Sequence, residues 1–362
     1  MVRKRYIGAG IGVGVFLVAL IILVSRPWSE HSGKEKSRRR ESSDDGIDGR
    51  YPPGRECPWI AAGTFPFDRR RSKKRLRVVN FNAEWLFTGG GHGGMSCPGA
   101  DCPWRTTAEG RAHLLRVAEV LRRLDGDIVH LTEVEDCRVL GELMTAIGDP
   151  SYRAFLVAST DTALGQNVGL LSRVDPIEAV ARVNRRRRYP IQGSRCPRTA
   201  SGEGRISLSK HYVARFRVPG FPAFSMLGVH LLANPQDAGR CTKREAQAAI
   251  IADILAREPA QSELLVVGDF NDLDGEAPGP SDLQPRTAVL RLIKAGRGSR
   301  QPLFNAVALV PRPERYSSWW DRNGNGRDDG GREHSMIDHV LVSARLRKHI
   351  ERVWIDHRFG VG

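Results

Sequence analysis

Apolar residues follow two spacings along the chain, and these spacings predict its secondary structure. From residue 76 onward, short apolar runs predict strands, and longer runs with helical spacing predict helices. Thr106 and Thr242 each precede a glutamate by three residues, which is the pattern of a capping box that opens a helix. Strands alternate with helices, but the extended pair "HYVARFRV" and "AFSMLGVH" also occurs. This combination predicts a layered α/β sandwich with mixed sheets.

An uncharged apolar run from Ile7 to Val24 follows a short basic flank, residues 1–6. Its length is at the short end of what spans a bilayer as a helix. No small-residue cleavage pattern follows it, so residues 7–24 are predicted to be an uncleaved transmembrane signal-anchor rather than a signal peptide. The basic residues before the run favour a cytoplasmic N-terminus, although the flank after it is also basic.

Residues 25–75 are charged and rich in Ser and Gly, and we predict a flexible basic stalk there. The folded domain is predicted over residues 76–362. The chain of 362 residues carries a net charge of +15. Residues 1–77 hold 18 of the 56 basic and 8 of the 41 acidic residues, which is +10 and leaves +5 for the rest. The overall charge is therefore a weak argument for nucleic acid binding by the domain.

All six cysteines lie after the apolar run, and none has the C-x-x-C spacing of a zinc site. An even number of such cysteines favours disulfides formed in an oxidising compartment. Six cysteines allow fifteen pairings, and Cys97 and Cys102 are close enough to close a small local loop. These features predict a single-pass membrane protein whose domain is extracellular, periplasmic or lumenal.

Polar side chains recur where predicted strands end. One such residue is usually only a strand terminus or a turn, but several strands that end this way predict one shared rim. Alternation along an extended chain places Asp269 and Asn271 on one face. Carboxylate and amide oxygens favour Mg²⁺ or Mn²⁺, which would offset charge at a phosphate under attack. The residues at these strand ends are Asn82, Glu84, Glu133, His230, Asp269, Asn271 and Asp338.

Six segments carry a resemblance to a known family. They are "VVNFNAEWLF", "DIVHLTEVED", "NVGLLS", "GVHL", "VVGDFND" and "SMIDHVLVS", over roughly residues 76–345. In this order they resemble the deoxyribonuclease-like endonuclease/exonuclease/phosphatase superfamily of metal-dependent phosphodiesterases. The resemblance implies a four-layer α/β sandwich of two mixed sheets flanked by helices. It also implies a site at the top of the two facing sheets.

The resemblance assigns roles to the residues of these motifs. It implies that Asn82, Glu84 and Glu133 hold the metal, with Glu133 as the principal ligand. Asp269 and Asn271 correspond to the pair that positions the nucleophile and holds the phosphate.

The remaining catalytic positions depend on a motif that the chain does not complete. His230 lies in the family's "HL" motif and is expected to transfer a proton. Asp338 is expected to orient a final histidine. The family's terminal S-D-H motif is not found, and Asp356-His357 is the only late Asp-His pair. The domain is therefore expected to lack its last strand, and His357 is kept as a provisional catalytic candidate.

The segment "DRNGNGRDDGGRE" has the spacing of a calcium-binding loop. Oxygen ligands fall at positions 1, 3, 5 and 9, and a glycine falls at position 6. An arginine occupies position 12, where a bidentate glutamate is expected, so a surface turn is the alternative interpretation. The candidate Ca²⁺ ligands are Asp321, Asn323, Asn325 and Asp329.

Four consecutive arginines precede Tyr189. Such a run either contacts polynucleotide phosphates or forms a solvated loop. The candidate phosphate contacts are Arg185, Arg186, Arg187 and Arg188.

These features together predict a membrane-anchored, divalent-metal-dependent phosphodiesterase, with nucleic acid as the leading substrate. The first alternative is a sphingomyelinase- or inositol-phosphatase-like hydrolase of the same fold. The second is a catalytically impaired binding protein, because the terminal motif is absent. The sequence indicates no protein partner.

Overall fold

The structure is a computed structural model. It describes residues 67–89, 104–161, 163–197, 202–235, 237–282, 287–296, 302–319 and 327–358, the strand at 19–25, and residues 57, 97, 102, 285, 323 and 325.

Fifteen strands and five α-helices are formed by the described residues. The helices are α1 (Thr107–Leu124), α2 (Cys137–Ile147), α3 (Ala238–Leu255), α4 (Val289–Lys294) and α5 (Ala344–Arg347). The strands are β1 (Ala19–Ser25), β2 (Arg75–Leu86), β3 (Ile128–Val134), β4 (Arg153–Leu156), β5 (Asn167–Ser172), β6 (Arg186–Tyr189), β7 (Gly204–Ser207), β8 (Lys210–Phe216), β9 (Phe224–His230), β10 (Glu263–Asp269), β11 (Phe304–Asn305), β12 (Ser318–Trp319), β13 (His334–Ser335), β14 (Asp338–Val342) and β15 (Ile350–Asp356).

The strands form two principal sheets. One sheet has the order β15-β1-β2-β3-β5-β4, and the other has the order β11-β14-β10-β9-β8. Both are mixed, since β2 is parallel to β3 and β9 is parallel to β10, whereas the other pairs are antiparallel. The predicted mixed α/β architecture is confirmed.

Three apolar cores show how the layers are stacked. Side chains of β2, β3, α1 and α2, such as Phe81 and Leu121, form one core outside the six-stranded sheet. Side chains of α3, α4 and β10, such as Ile251 and Val266, form another outside the five-stranded sheet. The third core lies between the two sheets. The sheets therefore face each other with helices on their outer sides, which brings their strand ends together at one rim.

One predicted helix start is confirmed and the other is wrong. Thr106 caps α1 with the predicted capping box to Glu109. By contrast, α3 begins at Ala238 and is capped by Asp237, so Thr242 lies inside the helix. The pattern at Thr242 did not mark a helix start. The same spacing of threonine and glutamate also occurs inside helices, where the two polar side chains can have tertiary partners.

The predicted transmembrane helix over residues 7–24 is wrong for its last part. Ala19–Ser25 is a strand that pairs with both β2 and β15, and residues 7–18 lie outside the described residues. A strand inside a sheet reads as a continuous apolar run, so periodicity alone does not separate it from a helix. No helix among the described residues is long and apolar enough to cross a membrane.

The described part of the predicted stalk, residues 25–75, contacts the domain. Asp68 forms a bridge with Val174, and Arg70 is buried. Cys57 forms a disulfide with Cys137 at the start of α2. These contacts begin before residue 76, so the folded domain includes part of the segment predicted as stalk.

All six cysteines form disulfides, and two of the three disulfides involve a helix. Cys97 pairs with Cys102, which closes the predicted local loop, and Cys196 pairs with Cys241 of α3. The third pair is the one that joins residue 57 to α2.

Candidate active site

A row of four polar side chains crosses one end of the five-stranded sheet. In the strand register, Asp338 of β14 lies opposite Asp269 of β10, and Asp269 lies beside His230 of β9. His230 in turn lies opposite Lys210, the first residue of β8. Each of the four side chains is buried. Neighbours at one register position share a sheet face, so the row forms a continuous polar edge.

The six-stranded sheet presents a second polar group to this row. The Asn82 amide of β2 donates to Glu133 Oε1 of β3 at 3.4 Å and to Asp269 Oδ2 at 3.3 Å. His230 Nε2 lies 4.0 Å from Glu133 Oε1 and 3.8 Å from Asp269 Oδ2. The Asn80 amide donates to Asp338 Oδ1 at 3.1 Å. The two sheets therefore place the predicted rim residues around one point.

The backbone at the strand ends is unusual where it carries these groups. Gly268 has φ +150°, and a Cβ there would lie 1.9 Å from the Val229 carbonyl oxygen. Only glycine therefore fits between β9 and β10. Glu133 has φ 61° and Asn271 has φ 47°, conformations that cost roughly 1–3 kcal/mol each. Such strain at several neighbouring site residues is typical of functional sites.

The predicted one-face arrangement of Asp269 and Asn271 is wrong, because β10 ends at Asp269 and the left-handed backbone at Asn271 breaks the alternation. The Asn271 N–H donates to Asp269 Oδ1 at 2.8 Å, and its side-chain amide donates to the Leu231 carbonyl at 3.2 Å. Asn271 therefore holds the Asp269 carboxylate in place.

Buried carboxylates dominate the electrostatics of the site. Burial raises the pKa of Asp269 to about 7. The hydrogen bond from Asn271 acts in the opposite direction, and repulsion from Glu133 adds to the increase. Burial and repulsion from Asp269 raise the pKa of Asp338 well above its usual value. Burial and the charge of Glu133 raise the pKa of Glu84 to about 8. These acids crowd together without enough positive charge to balance them.

The nitrogen groups of the row supply part of that balance. Burial, together with the charge of Lys210, lowers the pKa of His230 well below 6.5, so its imidazole is neutral at physiological pH. This differs from the expectation of a histidine tuned for proton transfer. Lys210 Nζ donates to Gln166 Oε1 at 3.0 Å, and Gln166 also hydrogen-bonds the Glu133 carboxylate.

The donor set fits a hard divalent cation. Glu133 and Asp269 share one amide donor, and within the described part of the chain Glu84 Oε2 and Asn80 Oδ1 are buried without a hydrogen-bond partner. Carboxylate and amide oxygens are the ligands that Mg²⁺ prefers. Among the described residues, however, no three His, Cys, Asp or Glu side chains are close enough to hold a metal by themselves. The Asn82 oxygen is also engaged, because it accepts the Glu84 N–H at 2.9 Å.

His357 contacts Tyr316. Its ring stacks on Tyr316 with centroids 3.9 Å apart, and its Nε2 hydrogen-bonds the Tyr316 carbonyl oxygen at 3.0 Å. The next residue, Ser317, accepts the Asp338 N–H through its hydroxyl at 3.0 Å. Asn80 links Asp338 to the site, whereas the contacts that His357 makes among the described residues are with Tyr316.

The candidate calcium loop is described only in part. Asp321 lies outside the described residues. The Asn323 and Asn325 amides both donate to Asp329 Oδ2, at 2.6 and 2.8 Å. Glu333 accepts the Asp329 N–H at 3.2 Å. These contacts gather three of the four proposed ligands, and calcium binding stays a prediction.

We expect Ca²⁺ to bind this loop with measurable heat in isothermal titration of the full chain. Replacing Asp321 and Asp329 by Ala removes two carboxylate ligands and should abolish the heat. The matched control is Asp328→Ala, because Asp328 belongs to the same loop but bonds His334 at 2.7 Å. Equal heat from the wild type and the double variant would reject the site.

Three site residues were missed from the sequence. Asn80 lies two positions before Asn82 on β2, so strand alternation already placed it on the same face. Lys210 and Gln166 carry no comparable signal. A lysine or glutamine near a strand end is ordinary, and only the neighbouring strands show that these two face Glu133.

A family profile and several solved structures match this chain. The profile of the endonuclease/exonuclease/phosphatase family matches residues 79–359. No curated protein matches the sequence. Humanized D. rerio TDP2 with 14 mutations is 13% identical over 74% of this chain and 82% of that chain, with a TM-score of 0.41. A mannosyl-6-phosphatase of Bacteroides thetaiotaomicron is 17% identical over 66% of this chain and 80% of that chain, with a TM-score of 0.39. The chain belongs to the endonuclease/exonuclease/phosphatase family, whose members are phosphoric ester hydrolases that generally use divalent metals such as Mg²⁺.

Proposed function

We propose that this protein hydrolyses phosphodiester bonds of nucleic acid in a divalent-metal-dependent reaction. The observation that carries the proposal is the meeting of Asn82 and Glu133 with the row of Asp338, Asp269 and His230. Carboxylates beside a neutral imidazole suit the addition of water to phosphorus.

In this proposal each side chain has a distinct task. Asp269, held by the Asn271 N–H, orients the attacking water and accepts its proton. His230 donates Nε2–H to a phosphate oxygen, because Nε2 faces the carboxylates and Nδ1 is buried without a partner. Glu133 and Asn82 would hold the cation, and the cation would offset charge on the phosphate. Water adds to phosphorus and one P–O bond breaks; the leaving oxygen takes up a proton from solvent water, and Asp269 returns the proton that it accepted to solvent.

We also propose that the domain works outside the cytoplasm. Three disulfides that engage all six cysteines support an oxidising compartment.

The test is nicking of supercoiled plasmid by the full chain, expressed in an oxidising compartment and purified in mild detergent. We expect nicking with Mg²⁺ and none with EDTA. Hydrolysis of sphingomyelin or of an inositol polyphosphate, with no nicking, would replace the nucleic acid substrate by those classes. Retention of DNA without turnover of any substrate would identify a binding protein instead.

A further inference from the structure

Three of the four consecutive arginines, Arg186 to Arg188, lie not in a loop but in β6, one strand of a two-stranded ribbon. β6 pairs antiparallel with β7, and Arg188 lies directly opposite Arg205 in the register. Side chains alternate between the two faces of a strand, and directly opposite residues share a face. Arg186, Arg188 and Arg205 therefore lie on one face of the ribbon, and Arg187 and Tyr189 lie on the other.

The second face of the ribbon packs on the domain. Arg187 forms an ion pair with Asp253 of α3 at 2.5 Å. Lys243, also of α3, lies 5.5 Å from the centre of the Tyr189 ring. Because this face contacts α3, the face with the three arginines points away from the domain.

That outward face carries charge that its neighbours do not balance. All three arginines are exposed, and within the described part of the chain none of their side chains has a hydrogen bond or ion pair. Like charges directly opposite each other destabilise a strand pair. An anion laid across the face would relieve this repulsion.

The ribbon leads directly into the candidate active site. β7 is followed by Leu208, Ser209 and Lys210, and Lys210 lies opposite His230. Lys210 comes five positions after Arg205, a distance of at most roughly 17 Å at about 3.3 Å per residue. This corresponds to about five base steps of a nucleic acid strand at about 3.4 Å each.

We propose that Arg186, Arg188 and Arg205 form a docking face for the phosphate backbone of a polynucleotide whose scissile phosphate lies at the site of His230 and Asp269. The inference rests on the proposed function and adds a contact several nucleotides from the bond that breaks. It also changes the sequence-based assignment. Arg187 is engaged with Asp253, and Arg205 joins the face from another strand.

The test measures the salt dependence of binding. The full chain is titrated with a fluorescein-labelled single-stranded DNA oligonucleotide in EDTA, so that no turnover occurs. Combining Arg186→Ser, Arg188→Ser and Arg205→Ser should weaken binding. It should also make the slope of log K against log salt shallower by about 2, because three phosphate contacts are lost. The matched control, Arg187→Ser, should keep the wild-type slope.

Two control measurements separate loss of charge from loss of folding and from loss of catalysis. Replacing the same three arginines by lysine should retain the slope, which separates lost charge from lost folding. Turnover of bis(4-nitrophenyl) phosphate with Mg²⁺ should be unchanged in the triple serine variant, since that substrate is too short to reach the ribbon. If the wild type turns over no phosphodiester, the proposed function fails, whereas the binding arm still decides the docking face.

Two results would overturn the proposal. One is a salt slope for the triple serine variant equal to that of the wild type. The other is a triple variant that loses binding to phosphatidylserine vesicles but keeps its affinity for the oligonucleotide, which would assign the face to a membrane surface.

Discussion

We expect His230→Ala to lower kcat for phosphodiester hydrolysis by about 10²- to 10³-fold, the range for losing one hydrogen-bond donor to charge that develops in the transition state. His230 Nε2 is within 4.0 Å of both Glu133 and Asp269, and the side chain is buried. Its imidazole is the only ring that the row presents to them. Single-turnover kinetics on a defined oligonucleotide measure the chemical step directly.

The control for this loss is His349→Ala. His349 lies between α5 and β15. This segment follows the end of β14 that is opposite to Asp338, so it is not at the rim. We expect unchanged kcat for this variant and an unfolding midpoint close to that of the wild type. A His230→Ala enzyme that folds and keeps the wild-type rate would remove His230 from the mechanism.

Replacing Arg173 by Leu destabilises the fold by about 3–5 kcal/mol, the cost of breaking a buried ion pair from one side. Its side chain is only 4% exposed. The guanidinium donates to Asp125 Oδ1 at 2.6 Å and to Asp149 Oδ2 at 2.8 Å. Its Nη1 also lies 3.5 Å from Asp127 Oδ1. The substitution leaves these carboxylates close together without their common partner. Urea unfolding at neutral pH measures the change in free energy.

The same cluster predicts a pH dependence. Although burial acts in the opposite direction, hydrogen bonds from Ser151 and Arg173 lower the pKa of Asp149 to about 2 from 3.8. The stabilisation is therefore complete above pH 3.8 and is lost as the pH falls towards 2. The difference in unfolding free energy between wild type and Arg173→Leu should shrink over that window.

The matched control for Arg173 is Arg123→Leu on α1. Arg123 pairs with Glu119 one turn away, and both side chains are exposed. Such a pair contributes about 0.3–0.5 kcal/mol. An equal loss of unfolding free energy in both variants would show that the buried Arg173 ion pairs stabilise the fold no more than an exposed pair.

Much of the fold was readable from local patterns. The strands at residues 75–86, 128–134 and 263–269 and the capping box of α1 were predicted because apolar spacing and cap chemistry are local properties. The apolar run that ends at Val24 was not, since a helix and a strand buried within a sheet can share one composition.

The residues of the candidate site also fall into two groups, those that the sequence indicated and those that only the structure showed. The sequence by itself determined which polar residues come at the ends of the apolar runs, and so named Asn82, Glu133, His230 and Asp269. Only the tertiary structure decided that Lys210 joins them, that Asn271 supports Asp269, and that Arg205 lies opposite Arg188. The physical reason is that strand order and register place residues distant in sequence side by side, and local periodicity carries no information about either.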